Sequence, residues 1–133
     1  MDKKYTLLIV EDETSQRMLY KEYFEMENFN VLTAADGQEA LDIVSREKHI
    51  DMVLLDLMLP KVDGVKVLEK IRANPETKHL IVYMMTVLDR DAVIKKAYDL
   101  DADGYLIKGA MNPDQIKTEI LNALNNPPRK PLQ

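Results

Sequence analysis

The stretch DMVLLDLMLPKVDG, Asp51 to Gly64, decides how the rest of the chain is read. It opens as an apolar run with little polar alternation, the pattern of a strand buried on both faces. Inside that run stands a carboxylate, Asp56, and a lone buried carboxylate is costly unless something pairs with it. The stretch closes in a turn, and Asp63 suits the start of a helix. A buried strand, an acid that needs a reason and a helix start follow one another within one short segment.

The same alternation continues in both directions. Further apolar runs are YTLLIV (5–10), FNVLTA (29–34), LIVYMMT (80–86) and GYLIK (104–108). Between the runs the period becomes helical. Ala40, Leu41 and Val44 share one face, as do Val67, Leu68 and Ile71, and Ile116, Ile120 and Leu124 recur every fourth residue. Asp12, Asp36, Asp63 and Asp89 read as caps of the helices that follow, and Pro113 suits a first helical turn. The order is βαβαβαβαβα, with each crossover long enough for a right-handed βαβ unit. The expected fold is a doubly wound α/β domain with a five-stranded parallel sheet, helices on both faces and strand order 2-1-3-4-5. Residues 1–126 form the expected domain. Residues 127–133, within NNPPRKPLQ (125–133), read as a Pro-rich tail or the start of a linker.

Composition narrows the function classes. The chain has 133 residues, enough for one domain with one core, and its apolar share of 46% and charged share of 31% are those of an ordinary soluble protein. A net charge of −5 argues against a general nucleic-acid or anionic-membrane binder. With no cysteine there is no disulfide and no thiolate chemistry. The opening MDKKYTLLIVEDE is too short in apolar residues for a signal peptide or a membrane span, so the expected location is the cytoplasm.

In an open parallel sheet, ligands bind beyond the carboxyl ends of the strands. Run one ends in Glu11-Asp12-Glu13, run three at Asp56, run four at Thr86 and run five at Lys108. In the order 2-1-3-4-5, strands one and three are neighbours, which would gather Glu11, Asp12 and Asp56, with Thr86 and Lys108 on the other side. Three close carboxylates repel unless a cation sits among them, and hard oxygens with open positions suit Mg²⁺. A hydroxyl and an ammonium facing the same spot suit phosphoryl oxygens. The set describes transfer of a phosphoryl group to a carboxylate, with Asp56 as the nucleophile. Taken singly, the members have plainer readings: Glu11, Asp12 and Glu13 as charge-matching at a helix start, Thr86 as a strand-end threonine, Lys108 as a solvated charge. His49 and His79 read as surface residues, the charges of the first helix and Lys95-Lys96 as solvated faces, and Met58, Met84 and Met85 as core or loop packing.

Taken together, these motifs resemble a response-regulator receiver domain of two-component signalling over about residues 5–124. LLIVEDE carries the acidic pair, LLDLMLPKVDG the phosphoacceptor loop, MMT the hydroxyl, and DGYLIK the switch aromatic and lysine. The resemblance implies that Asp56 accepts a phosphoryl group from a sensor histidine kinase or phosphotransfer protein. It implies Mg²⁺ held by Asp12, Asp56 and the main-chain carbonyl of Met58, with Glu11 acting mostly through water. Thr86 and Lys108 would bind phosphoryl oxygens, and Tyr105 would be the rotameric switch. The readout face would be helix four, strand five and helix five, with a weak homodimer on phosphorylation as an option. Three positions depart from the family. Glu11 stands where the first acid is usually Asp, a variant that still suits a metal. Gly109 stands where a proline after a cis bond is usual, so a trans Lys108–Gly109 bond or a rearranged loop is expected. Val87 stands where a small residue is usual and is expected to crowd Asp56.

Two other classes compete. One is a receiver-like binding module that does not use phosphorylation, against which the intact acid cluster argues. The other is a hydrolase with an aspartyl-phosphate intermediate. Such enzymes place a second general acid two residues after the nucleophile, where this chain has Met58. A turnover enzyme on external substrates is therefore not expected. A nucleotide-binding domain of the same fold lacks its Gly-rich loop after strand one.

Overall fold

A computed structural model describes residues 4–87 and 91–127 of the chain. The elements are β1 (Thr6–Val10), α1 (Thr14–Met26), β2 (Asn30–Ala34), α2 (Gly37–Arg46), β3 (Met52–Leu55), α3 (Gly64–Ala73), β4 (Ile81–Thr86), α4 (Asp91–Asp99), β5 (Gly104–Ile107) and α5 (Pro113–Asn125). The five strands pair in parallel in the order β2-β1-β3-β4-β5. This is the doubly wound sheet expected from the alternation of runs. The runs YTLLIV, DMVLLDL and LIVYMMT, which show little polar alternation, are the three central strands β1, β3 and β4, and the edge strands β2 and β5 are only partly buried.

The sheet separates two cores. Leu8, Val10, Val53, Leu55, Val82 and Met84 face α2, α3 and α4, where Ile43, Leu68, Ile71 and Ala97 complete the packing. Leu7, Ile9, Met52, Leu54, Met85 and Leu106 face α1 and α5, against Tyr20, Phe24, Ile116 and Ile120. Phe24 is fully buried, with Tyr23 and Phe29 packed edge-on against its ring.

Helix starts follow the expected caps in part. Asp36 accepts from the amide of Glu39 (2.8 Å) and Asp63 from that of Lys66 (2.9 Å). Pro113 begins α5 behind a reciprocal pair, Asn112 capping the Gln115 amide at 2.9 Å and Gln115 returning to the Asn112 amide at 2.8 Å. Asp12 is not a cap. Residue Glu13 holds that position, and its side chain makes no capping bond. The carboxylate that reaches this turn is instead that of Glu11, which accepts from the Glu13 amide at 3.2 Å. The expected cap Asp89 and residues 128–133 of the tail lie outside the described residues.

Two further ties close the molecule. At the pole of the strand N-termini, Arg72 of α3 and Asp103 ahead of β5 form a buried ion pair at 2.8 Å. At the same pole the Tyr5 hydroxyl donates to Asn125 Oδ1 at 3.4 Å, joining the approach to β1 with the end of α5.

Candidate functional site

Parallel strands bring their carboxyl ends to one pole, and the strand-end residues meet there. Asp56 is the first residue past β3 and is 6% exposed. Its amide donates to Val10 O (3.1 Å), its Oδ1 accepts from the Met58 amide (3.1 Å), and its Oδ2 accepts from Lys108 Nζ (2.8 Å). Glu11, just past β1, is 1% exposed, and its Oε1 pairs with the same Lys108 ammonium. Asp12 beside it is exposed. Oxygens of Glu11, Asp12 and Asp56 all lie within 4.8 Å of one another. Two of these acids are thus sealed in the protein, and the third opens the cluster to water.

Lys108 explains how buried acids persist here. Burial alone would lower its affinity for a proton; the hydrogen bonds and charges of Asp56 and Glu11 outweigh that and raise it. The ammonium therefore stays charged and serves as counter-ion to both. Glu11 is pushed up from the usual carboxylate range by burial, against the pull of Lys108 and the Glu13 amide, and with Asp56 adding to the push. A hard-oxygen donor set with one solvent-facing member fits Mg²⁺, which keeps several waters and needs few protein ligands.

Thr86 ends β4 and is 1% exposed, and its carbonyl accepts from the Lys108 amide at 2.7 Å. Tyr105 pairs in register with Met84, and Thr86 with Ile107. Side chains alternate along a strand, so Thr86 and Tyr105 project from the same face of the sheet. Tyr105 is half-buried against the core beneath α4. Among the described residues no peptide bond is cis, so the Lys108–Gly109 bond is trans, as expected. Gly109 has φ +84°, in the left-handed region that favours glycine. Met58 is a largely exposed loop residue, Met84 and Met85 are fully buried, and Val87 is exposed. His49 and His79 are exposed, as expected.

Several residues that shape this pole were not singled out from the sequence. Gly64 starts α3 so close to the loop after β3 that a Cβ there would stand 2.1 Å from the Asp56 carbonyl oxygen. Its amide donates to Leu57 O at 2.9 Å. The glycine in PKVDG was the available signal. Arg17 was read with the solvated charges of the first helix. Instead its guanidinium folds back onto the β1–α1 loop, donating to Glu11 O at 2.8 Å and Asp12 O at 3.2 Å. A groove of about 780 Å³ runs from Asp12 past Met58 and Pro60 to Lys66 and Lys96.

Comparison with known proteins gives a consistent picture. The model of the response regulator receiver domain matches residues 7–121. The chain is 34% identical over 122 residues to a cyclic di-GMP phosphodiesterase of Thermotoga maritima, covering 91% of this chain and 31% of that protein. It is 33% identical over 122 residues to a probable transcriptional regulator, ycf27, of Porphyridium aerugineum (92% and 49%). It is 36% identical over 102 residues to the transcriptional regulatory protein SrrA of Staphylococcus aureus (77% and 41%). The chain thus spans less than half the length of these curated relatives. Among solved structures, a CheY-like receiver domain protein of Methanospirillum hungatei superposes with a TM-score of 0.85 at 26% identity, covering 92% of this chain and 95% of that one. The receiver domain of the sensor histidine kinase PA1611 of Pseudomonas aeruginosa, which holds a magnesium ion in its active-site cleft, shares the fold at 0.84 and 19% identity, covering 93% and 100%. Among the described residues no helix is long and apolar enough to cross a membrane.

Proposed function

We infer the function from one premise: the chain belongs to the response regulator receiver domain family. Receiver domains are signalling modules of two-component systems, which generally work with histidine kinases or phosphotransfer proteins and switch on phosphorylation. For this chain the acceptor is Asp56. Its carboxylate oxygen attacks the phosphorus of a phosphohistidine on the partner, the P–N bond breaks as the P–O bond forms, and the imidazole leaves. Asp12, Asp56 and the Met58 carbonyl would hold Mg²⁺, with Glu11 assisting through water, and the bound ion supplies charge neutralisation for the phosphoryl oxygens. Lys108, already on Asp56, pairs with one phosphoryl oxygen, and the Thr86 hydroxyl donates to another. Withdrawal of Thr86 toward the phosphoryl group frees space on the face it shares with Tyr105. Tyr105 then turns inward and changes the surface formed by α4, β5 and α5. Phosphorylation needs only to bias an equilibrium between the two arrangements.

The observation that carries this reading is Asp56 itself: a buried carboxylate between an ammonium and two further acids, at the end of a central strand. The test is intact mass after incubation with Mg²⁺ and a small acyl phosphate. We expect one added phosphoryl group on the wild type and none on Asp56→Asn. A wild type that binds Mg²⁺ yet gains no mass would instead support a module that works without phosphorylation.

A further inference from the structure

Helix α1 begins with a contradiction. Its N-cap Glu13 makes no side-chain capping bond and its first turn holds no acid, yet Arg17 stands one turn in. A cation at a helix N-terminus opposes the macrodipole, so the position calls for a compensating interaction. The guanidinium supplies it by turning back out of the helix: one nitrogen reaches Glu11 O (2.8 Å) and Asp12 O (3.2 Å), and the other lies 3.4 Å from Thr14 Oγ1. The two carbonyls belong to the acids whose side chains enter the candidate metal cluster. Within the same loop the Glu11 carboxylate accepts the Glu13 amide, so main chain and side chain brace each other.

We propose that Arg17 is a positioning residue for the cation site: by bridging the Glu11 and Asp12 carbonyls, it fixes the turn that aims both carboxylates at Asp56. Arg17 touches neither the ion nor the phosphoryl group. One guanidinium nitrogen holds both carbonyls while the second lies toward the Thr14 hydroxyl, an arrangement fixed by a rigid plane that the shorter, flexible lysine stem with its single nitrogen does not reproduce. The inference rests on the metal reading of the Glu11, Asp12 and Asp56 cluster.

The sign of the effect separates positioning from charge. Deleting a cation beside a cation site strengthens metal binding by electrostatics alone. Positioning predicts the reverse. We expect Mg²⁺ affinity, measured by calorimetry on the full chain, to fall about tenfold in Arg17→Ala, the scale typical of groups that orient metal ligands. Arg17→Lys, which keeps the charge and loses the fork, falls as well, and it serves as the variant of record should the alanine chain not fold by circular dichroism. Amide exchange at Glu13 in metal-free protein should quicken in both variants. A folded variant that binds Mg²⁺ as tightly as the wild type, or more tightly, overturns the proposal. A wild type that takes up no Mg²⁺ overturns the metal reading itself, and unchanged exchange at Glu13 would then also remove Arg17 from any hold on the loop.

Discussion

Gly64 shows how little room the loop after β3 has. The first residue of α3 sits against the backbone of Asp56 and Leu57, and a methyl group would need the space of the Asp56 carbonyl oxygen, 2.1 Å away. Backbone atoms cannot step aside as a flexible side chain does. Gly64→Ala should therefore destabilise the fold by about 2 kcal/mol, as overpacking typically does, read by denaturant unfolding. It should also slow phosphorylation of Asp56 about tenfold or more, because a small displacement of a reacting group has a large effect on rate. An alanine variant with wild-type stability would mean that the helix start relaxes away from the loop. At this scale the acidic cluster was legible and its supports were not. Asp56 announced itself as an acid among apolar neighbours, whereas Gly64 and Arg17 act through main-chain contacts between segments distant or folded back in space. No periodicity reports such contacts.

At the scale of elements, α1 and α5 form a polar-edged joint over their shared core. The Tyr23 hydroxyl hydrogen-bonds Asp114 at the start of α5, and Lys117 pairs with Glu27 at 2.7 Å. Burial, then the hydrogen bond and the charge of Asp114, push the Tyr23 phenol up to about 12 from 10.0. A raised value in the folded chain means that the neutral, bonded phenol is the stabilising form. Its contribution is complete below pH 10 and is lost as pH rises through about 12. Ultraviolet titration of tyrosinate should show a component near that upper value in the wild type that is missing from Tyr23→Phe, and stability should fall less steeply over the same interval in the variant. If the two titration curves coincide, the bond does not hold the joint. The sequence pattern identified both helices, and an acid-to-phenol contact across ninety-odd residues had no local signature. The misreading of Asp12 as a cap has a similar origin. Acids at a helix start are ambiguous between capping and catalysis, and here Glu11 reaches the turn while Asp12 faces water.

The whole molecule sets the acidic cluster and the buried anchor at opposite poles. Glu11, Asp12, Asp56, Thr86 and Lys108 lie at the pole of the strand carboxyl ends, while the buried Arg72–Asp103 pair lies at the other. There Arg72 also donates to the carbonyls of Asp101, Lys78 and Leu80 at 2.7–3.0 Å, and Asp103 accepts the Val82 amide at 2.8 Å. Asp103→Ala leaves a buried guanidinium without its carboxylate and should reduce global stability by about 3 kcal/mol. Below its melting temperature the variant should still be phosphorylated at the wild-type rate. A rate loss matching that of Gly64→Ala would show that the two poles are coupled. The topology was the most legible feature, because burial on both faces writes a continuous apolar run and the three such runs are the central strands. The Arg72–Asp103 tie was not, since one arginine at a helix end and one aspartate before a strand read as ordinary surface charges.

The hydrogen bond between Tyr5 and Asn125 has a further consequence. It brings the beginning of the first strand and the end of the last helix side by side, at the pole away from Asp56. Sequence added before one or after the other would leave the molecule from a common exit, with the acidic cluster at the opposite pole left open. The unit has the layout of a cartridge, with its first strand and last helix meeting at one pole and its acidic cluster facing the other.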